Sequence, residues 1–399
     1  MIKPVGAICN LDCSYCYYLH KEELLGSPSK FRISHEILET HIRQYIEGQD
    51  REAVVFSWQG GEPTLLGLEF FREVVALEQK YKKPGQRVEN DLQTNGTLLN
   101  DEWCGFLKQH GFLVGLSIDG PKELHDQYRV AKDGTATFDK VLAAAEMLHH
   151  HTVPFNALCV INRLNARRPF DVYRFLKNEI APREIQFLPC VQTKDFRNTA
   201  PQHWDPAKLP TQDSAAAHPG HPDSVVTDWS VDPDDWGYFL CKVWDDWYRR
   251  DIGKVFVNQF ENAVAMWMGR ESQMCVYHEF CGKAVALEHD GSLYSCDHYV
   301  YPEYKLGNIT ETASSRMVFS ERQQQFGFNK FRSLPQQCRH CKYLFACNGE
   351  CPKNRFLRSR DGEPGLNYLC SGLYKFWEHI DKDVQQICKR IACGESLRP

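Results

Sequence analysis

Apolar residues between about residues 50 and 192 fall into short runs that alternate with longer stretches of helical periodicity. The runs cover residues 53 to 58, 88 to 93, 113 to 118, 155 to 161 and 184 to 189. Between Phe138 and Leu148 the apolar residues share one helical face, as in a helix that covers a sheet. This alternation predicts an α/β fold with a parallel sheet and crossover helices.

Turn-forming and polar residues follow each of these runs directly. They are Gly60-Gly61-Glu62, Thr94-Asn95-Gly96, Asp119-Gly120, Asn162 and Cys190-Val191. The carboxyl ends of parallel strands meet at one rim, and α/β barrels build their sites there, so we expect functional side chains at this rim. The glycine pair is expected to let the backbone approach a ligand without a Cβ clash.

The chain after the predicted sheet changes character. Residues 193 to 235 are rich in Pro, Asp and His, lack periodicity and predict an irregular loop. We interpret His203, His218 and His221 as solvated side chains of this loop, because no regular element holds them in register. Apolar residues from Trp236 to Trp247 then repeat at helical spacing and predict a buried helix face, followed by a short helix from Phe260 to Trp267.

Composition excludes several classes of partner. The chain has 399 residues, of which 42% are hydrophobic and 25% charged, enough for a large core and a smaller second domain. Its net charge of -5 gives no signature of nucleic-acid binding. The start MIKPVGAICN lacks the apolar segment of a signal peptide, and no stretch approaches the roughly 20 apolar residues of a membrane span. We therefore expect a cytoplasmic protein.

Three cysteines near the start, Cys9, Cys13 and Cys16, form the pattern C-x3-C-x2-C. A closed structural metal site takes four protein ligands, whereas a site that binds and transforms something leaves one metal position open. Three thiolates on one loop therefore indicate chemistry at an inorganic centre. The alternative is a loop of ordinary thiols or half of a zinc site.

Eight cysteines in the second half are enough for two closed sets of four. They are Cys275, Cys281, Cys296, Cys338, Cys341, Cys347, Cys351 and Cys370. A paired zinc ribbon would repeat C-x2-C twice, and only Cys338 and Cys341 have that spacing, which disfavours zinc. The six other cysteines, at 104, 159, 190, 241, 388 and 393, are interpreted mainly as buried small apolar side chains.

The segment from Ala284 to Asp297 predicts a β-hairpin, because two alternating runs flank Asp290-Gly291, a turn pair that tolerates positive φ. The hairpin would deliver Cys296 and Asp297 together. A carboxylate beside a cluster ligand can accept a proton from a bound substrate. From position alone, a turn acid or helix cap is an equally good interpretation.

Several motifs together resemble the anaerobic sulfatase-maturating enzymes, which are radical S-adenosylmethionine (AdoMet) enzymes with a SPASM domain. The resemblance runs from about Ile2 to Trp377. The motifs that carry it are KPVGAICNLDCSYCYYL, WQGGEPTLLGLEFF, LQTNGTLL, FLVGLSIDGPKELHDQYR, EHDGSLYSCDHYVYPEYKLGN and GLNYLC. The implied activity is oxidation of the β carbon of a sulfatase Cys or Ser to the aldehyde of Cα-formylglycine.

The resemblance implies a partial (β/α)6 radical SAM barrel at residues 1–235, with 193–235 as an irregular loop. A helical connection at 236–274, a SPASM domain at 275–377 and a C-terminal helix and tail at 378–399 would follow. Three 4Fe-4S clusters are implied, one with an open position. Their ligands would be Cys9, Cys13 and Cys16; Cys275, Cys281, Cys296 and Cys351; and Cys338, Cys341, Cys347 and Cys370.

The same resemblance implies roles for other residues. Tyr15 and Gly61 would contact AdoMet, and Ser117, Arg129 and Val191 would complete its pocket; Ser117 and Arg129 offer a hydroxyl and a fixed charge. Asp297 corresponds to the proposed catalytic base of the family. Glu62, Asn95 and Asp119 are left without an assigned role, since they can serve only to shape loops.

The implied partners are an unfolded sulfatase polypeptide with a C/S-x-P-x-R motif and a reduced flavodoxin or ferredoxin-type electron donor. Two alternatives remain open. One is a SPASM enzyme that modifies another peptide, for example by installing a crosslink. The other, more remote, is a non-catalytic scaffold stabilised by zinc.

Overall fold

A computed structural model describes residues 1–25 and 32–397 of the chain. These residues form two compact units, and each unit is assembled from separate stretches of sequence. The first contains Met1–Ile118, Asp126–Asn156 and Gly282–Gly327. The second contains Asp119–His125, Ala157–Cys281 and the chain from Phe328 onward. The domains predicted above are contiguous stretches of sequence, whereas these units are not. The predicted domain boundaries therefore stay a prediction.

The strands include all five predicted apolar runs. They are β1 (Ile2–Lys3), β2 (Ala53–Trp58), β3 (Arg87–Thr94), β4 (Leu113–Ser117), β5 (Phe155–Ile161), β6 (Ile185–Pro189), β7 (Ala286–Glu288), β8 (Ser292–Tyr294), β9 (Lys305–Asn308), β10 (Leu357–Arg358) and β11 (Pro364–Leu366). In the first unit the order is β4-β3-β2-β1-β7-β8-β9. The pairs from β4 to β7 are parallel, and β8 is antiparallel to both neighbours.

The helices occupy the predicted crossover positions and most of the second half. They are α1 (Lys21–Leu25), α2 (His35–Glu47), α3 (Gly67–Tyr81), α4 (Asp101–Gln109), α5 (Lys122–His125), α6 (Phe138–His150), α7 (Pro169–Phe175), α8 (Pro233–Arg250), α9 (Asn258–Trp267), α10 (Ser314–Val318), α11 (Glu321–Arg332), α12 (Gln336–Arg339), α13 (Leu344–Cys347) and α14 (Cys370–Ala392). In the second unit β5 pairs parallel with β6. Parallel strands and crossover helices confirm the predicted α/β class.

Packing of α8 against α14 fixes the start of α14. The Asp232 side chain caps α8 by accepting from the Asp234 N–H, and the predicted tryptophan face of α8 is buried. A Cβ added to Gly372 would lie 1.8 Å from the Pro233 carbonyl oxygen, so the two helices approach more closely than any side chain allows. This contact positions Cys370, the first residue of α14.

The predicted hairpin forms, with a longer connection than its turn pair suggested. Leu287 opposes Leu293, and three residues, from His289 to Gly291, link the strands. Of the turn pair, Gly291 has a positive φ of 82° and Asp290 does not. Through β7 the hairpin also pairs with β1, where Ile2 is level with Leu287. The hairpin therefore extends the parallel sheet of the first unit.

The predicted irregular loop contains two short 3-10 turns, Pro206–Lys208 and Ala215–Ala217, before α8 begins. Its His218 lies 2.7 Å from an Asp232 oxygen, and the ring of His221 accepts from the Asp223 N–H at 3.2 Å. Among the residues that the structure describes, no helix has the length and apolar character needed to cross a membrane.

Candidate active site

The three N-terminal cysteines lie on a loop anchored by backbone hydrogen bonds within the first unit. The Cys16 N–H donates to the Cys13 carbonyl at 2.9 Å, which closes one turn around the second and third thiols. The Asp12 N–H donates to the Val130 carbonyl at 2.8 Å, and Ser14 donates similarly to Tyr128 at 3.3 Å. The segment near Arg129 therefore holds the cysteine loop in place.

The glycine pair after β2 supports the chain that leads into Cys9. A Cβ on Gly61 would lie 1.8 Å from the Ile8 carbonyl oxygen, which no side chain could tolerate. The Gly61 N–H donates to the Gly6 carbonyl, and the Glu62 N–H donates to Ile8, both at 2.8 Å. The structure thus gives one reason for glycine, namely contact between two backbone segments, and the approach of a ligand to Gly61 stays a prediction.

Two residues without a predicted role hold this rim together. Glu62, 1% exposed, accepts from the Thr94 hydroxyl at 2.8 Å and from the Asn95 N–H at 2.7 Å. The Asn95 amide in turn donates to Asn10 at 2.8 Å and to the Cys9 sulfur at 3.7 Å. The carboxylate after β2 and the amide after β3 therefore orient the first cysteine. Asp119 belongs to the second unit, where it accepts from the Val160 N–H.

Of the predicted AdoMet-binding residues, the structure brings Tyr15 and Arg129 together. The Arg129 guanidinium carbon lies 5.5 Å from the Tyr15 ring centroid, and both side chains are largely buried. Ser117 ends β4 and is 7% exposed. Val191, in the second unit, is buried and accepts a hydrogen bond from the Lys353 ammonium at 2.7 Å through its carbonyl.

The Asp297 carboxylate is held by an ion pair and a hydrogen bond from two other side chains. The Lys3 ammonium forms an ion pair with Oδ1, and the Tyr17 hydroxyl donates to Oδ2 at 2.5 Å. Lys3 is 1% exposed and Asp297 9%. Burial, the largest single influence, would raise the pKa of Asp297, but Lys3, His298 and Tyr17 together outweigh burial and hold this pKa well below its usual range. The carboxylate is therefore ionised in the folded protein.

Tyr18 and Glu288 form a further contact around Lys3. The Lys3 ammonium lies 4.1 Å from the centroid of the Tyr18 ring, and the Tyr18 hydroxyl donates to Glu288 at the end of β7. Burial, followed by the charge of Glu288, raises the pKa of Tyr18. The β1–β7 pairing thus brings the first residues of the chain to the carboxylate predicted as a base.

Burial opposes the ionisation of Cys9 and Cys16 on the N-terminal loop, whereas nearby hydrogen-bond donors favour it. Burial raises the pKa of Cys9 to about 11 and raises that of Cys16 as well. The Tyr18 and Leu19 N–H groups act on the pKa of Cys16 in the opposite direction, so they favour its thiolate. Buried thiols of this kind become thiolates on binding a metal. Asn95 and these two N–H groups are donors suited to thiolate ligands of a cluster.

In the second unit, one cavity of about 830 Å³ is lined by all four thiols of a predicted cluster set, Cys338, Cys341, Cys347 and Cys370. The Cys341 N–H donates to the Cys338 carbonyl at 3.1 Å, and Cys347 ends α13. Burial raises the pKa of Cys347 to about 12, and the charges of Cys338 and Cys341 act in the same direction. Four soft donors around one cavity fit an iron–sulfur cluster.

The other predicted set is divided between the two units. Cys275, Cys281 and Cys351 belong to the second unit, and Cys296 follows β8 in the first. Within the described part of the chain, no group of three or more His, Cys, Asp or Glu residues is arranged to hold a single metal ion. The assignment of clusters therefore rests on the two sets of four cysteines, and not on a site arranged for a single metal ion.

Two family models match separate parts of the chain. The Radical SAM superfamily matches residues 4–176, and the SPASM family, an iron-sulfur cluster-binding domain, matches residues 275–342. The serine-type anaerobic sulfatase-maturating enzyme of Bacteroides thetaiotaomicron is 46% identical over 380 residues, or 95% of this chain and 88% of the relative. The chain belongs to the anaerobic sulfatase-maturating enzyme family.

Other members of the sulfatase-maturating enzyme family match over nearly their whole length. The cysteine-type enzyme of Clostridium perfringens strain 13 is 31% identical, covering 98% of each chain. The solved structure of native anSMEcpe with bound AdoMet superposes with a TM-score of 0.82 at 31% identity, over 97% of this chain and 98% of that one. A structure of the same protein with AdoMet and the Cp18Cys peptide also gives 0.82.

Several residues around the sites of this sulfatase-maturating enzyme were not found by sequence reasoning. Lys3 and Tyr17 contact Asp297, yet nothing in the local pattern marks Tyr17. Lys330 and Arg355, at 0% and 4% exposure, are buried cations of the second unit. The one usable signal was KPVGAICN itself, where a lysine stands in an otherwise apolar segment that leads into a cluster loop.

Proposed function

We propose that this protein oxidises a Cys or Ser side chain of a sulfatase to Cα-formylglycine in a radical AdoMet reaction. The observation that carries the proposal is the 46% identity to a serine-type sulfatase-maturating enzyme across 95% of the chain. The buried carboxylate at Asp297, adjacent to a predicted cluster ligand, supplies a group suited to the proton transfer this reaction needs.

AdoMet bound at the open cluster position supplies, on one-electron reduction, the species that removes a β hydrogen from the substrate. The protein's own part is to bind and orient. Tyr15 offers a ring face and Arg129 a fixed positive charge, and their mutual contact restricts both side chains. Cys9, Cys13 and Cys16 would hold the open cluster, with the Asn95 amide beside Cys9.

Asp297 would accept the proton from the substrate thiol or hydroxyl. The ion pair with Lys3 keeps the carboxylate ionised, and the hydrogen bond from the Tyr17 hydroxyl fixes the orientation of the carboxylate. A carboxylate of such low pKa is a weak base towards an unreacted thiol or hydroxyl. Proton transfer to Asp297 is therefore expected after the β hydrogen has been removed, when the substrate group has become much more acidic.

One electron must leave the substrate, and the clusters that the eight later cysteines would bind are suited to accept it. Oxidation of Ser to the aldehyde removes one hydrogen atom, one proton and one electron; the Cys reaction also consumes water and releases hydrogen sulfide. The hydrogen atom goes to the AdoMet-derived group and the proton to Asp297. The remaining electron would pass to an auxiliary cluster, so the full set of cofactors is three 4Fe-4S clusters and AdoMet.

The substrate would be an unfolded sulfatase segment containing C/S-x-P-x-R. A peptide substrate is supported by the structure of anSMEcpe with the Cp18Cys peptide. A reduced flavodoxin or ferredoxin-type protein would supply the electron for AdoMet, and the cytoplasm would be the site of the reaction. Similarity to both serine-type and cysteine-type enzymes makes both side chains worth testing.

The test incubates the anaerobically reconstituted protein with AdoMet, dithionite and synthetic C-x-P-x-R or S-x-P-x-R peptides. Conversion to the aldehyde lowers the mass by about 18 Da for Cys and about 2 Da for Ser. In Asp297→Asn, AdoMet cleavage should persist while aldehyde formation falls roughly 100-fold or more. If the native protein cleaves AdoMet but leaves both peptides unchanged, the proposal gives way to modification of another peptide.

A further inference from the structure

Two cations, Lys330 and Arg355, are buried in the interior of the second unit. The Lys330 ammonium donates to the carbonyl oxygens of Cys275 at 3.0 Å and Val276 at 2.7 Å. Within the described part of the chain, neither cation forms an ion pair with a carboxylate. Burying a charge without a compensating one costs several kcal/mol, so compensation is expected from another source.

The Arg355 guanidinium is held by the segment that joins the two predicted cluster sets. Asn348, Gly349 and Glu350 lie between Cys347 of one set and Cys351 of the other, and all three have positive φ values of 46°, 67° and 49°. Arg355 donates to all three of their carbonyls, at 2.9, 2.9 and 3.3 Å. This one side chain therefore stabilises a strained left-handed link between two cluster ligands.

Lys330 and Arg355 lie next to each other and beside predicted cluster ligands. One guanidinium nitrogen of Arg355 donates to the Lys330 carbonyl at 2.5 Å. The Lys330 ammonium contacts the backbone of Cys275, a member of one set. Arg355 contacts the segment between Cys347 and Cys351, which belong to different sets. Lys330 thus lies beside one set, and Arg355 lies beside both.

The buried carboxylate Glu350 is already engaged by other donors. Its oxygen Oε2 accepts from the side-chain amides of Asn354 and Asn367, at 3.1 and 2.7 Å. The negative charge that compensates the two cations is therefore expected mainly from the thiolate sets beside them.

We infer that Lys330 and Arg355 are positioning residues that neutralise the auxiliary clusters and raise their reduction potentials, with Lys330 acting on the cluster bound by Cys275, Cys281 and Cys351. A 4Fe-4S cluster with four thiolates carries about two negative charges, and about three when reduced. A fixed buried cation stabilises the reduced form more than the oxidised form. The inference rests on the auxiliary clusters of the proposed function.

The consequence concerns the direction of electron flow. An auxiliary cluster that accepts the substrate electron must be easily reduced. A positive charge within the interior raises the ratio of reduced to oxidised cluster at a fixed potential by about tenfold or more. Exposed cations of the same unit, such as Lys208 with a side chain 84% exposed, are screened by solvent and should contribute little.

The test compares Lys330→Gln, Lys330→Arg and Lys208→Gln in the full-length, cluster-loaded protein. Glutamine can still donate to the carbonyls of Cys275 and Val276 but carries no charge, whereas the Lys330→Arg variant keeps the charge on a larger side chain. Redox titration followed by electron paramagnetic resonance gives a midpoint potential for each cluster without substrate. The measurement is therefore independent of aldehyde formation.

We expect Lys330→Gln to make one auxiliary cluster about tenfold harder to reduce at a fixed potential, with Lys330→Arg and Lys208→Gln close to native. An unchanged potential in Lys330→Gln would overturn the inference. If Lys330→Gln fails to retain iron, iron content decides: retention in Lys330→Arg alone supports a role of charge, and equal loss in both variants shows that Lys330 only fills space.

Discussion

The buried pair of Lys3 and Asp297 gives a prediction that can be worked from the structure. Lys3→Met leaves a carboxylate in a site where its partner was 1% exposed, and Asp297→Asn leaves the ammonium there alone. Breaking one side of a buried ion pair costs about 3–5 kcal/mol. The double variant leaves no uncompensated charge, so its cost should stay within about 1–2 kcal/mol.

These energies translate into thermal shifts for the cluster-loaded protein. At about 2–4 °C per kcal/mol, each single variant should unfold about 6–20 °C below native, and the double variant much closer to native. The pKa of Asp297 is lowered on folding, so the stabilisation by the pair is complete above the usual aspartate pKa and is lost as pH falls below it. Measurements near pH 7.5 therefore report the whole effect.

The assay is anaerobic thermal unfolding followed by circular dichroism, with iron content measured for each variant. Lys305→Met, an exposed lysine on β9 of the same unit, is the matched control and should match native. Thermal losses in the double variant equal to the sum of the two single losses would refute the reasoning, because they would show that the two side chains do not interact.

The other predictions concern the cluster ligands. Replacing Cys9, Cys13 and Cys16 together by Ala should abolish AdoMet cleavage and leave roughly eight irons per chain, measured by 5′-deoxyadenosine release and iron analysis; undiminished release would remove the assignment. Cys370→Ala should lose about four irons and much of its solubility, because a closed cluster supports folding, whereas Cys388→Ala should retain both. Equal iron in these two variants would show that Cys370 only packs.

Local patterns predicted the elements of the sheet, because strand formation in this chain follows short apolar runs. All five runs became strands within one or two residues, and the helical face from Phe138 became α6. The hairpin was also predicted, since Gly291 supplies the positive φ that its turn requires. Short elements without such a signal, including the two-residue β1, could be recognised only from the strands with which they pair in the structure.

From the sequence, the candidate site could be predicted only for residues whose own side chains are ligands or reacting groups, above all the cysteines. Cysteine spacing and the resemblance identified ligand sets, and one set of four lines a single cavity. The approach of Lys3 to Asp297 depends on pairing between the first and later strands, which no local pattern encodes. Gly61 is required by the carbonyl of Ile8, a contact that is visible only in three dimensions.

The most direct measurement of the central claim uses a serine peptide with two deuterium atoms at the β carbon. After anaerobic incubation with AdoMet and dithionite, mass spectrometry of both products follows each deuterium. We predict 5′-deoxyadenosine heavier by about 1 Da and a formylglycine peptide that retains one deuterium, in equal amounts. Formation of unlabelled 5′-deoxyadenosine with no aldehyde, from protein that holds its full iron content, would contradict the account.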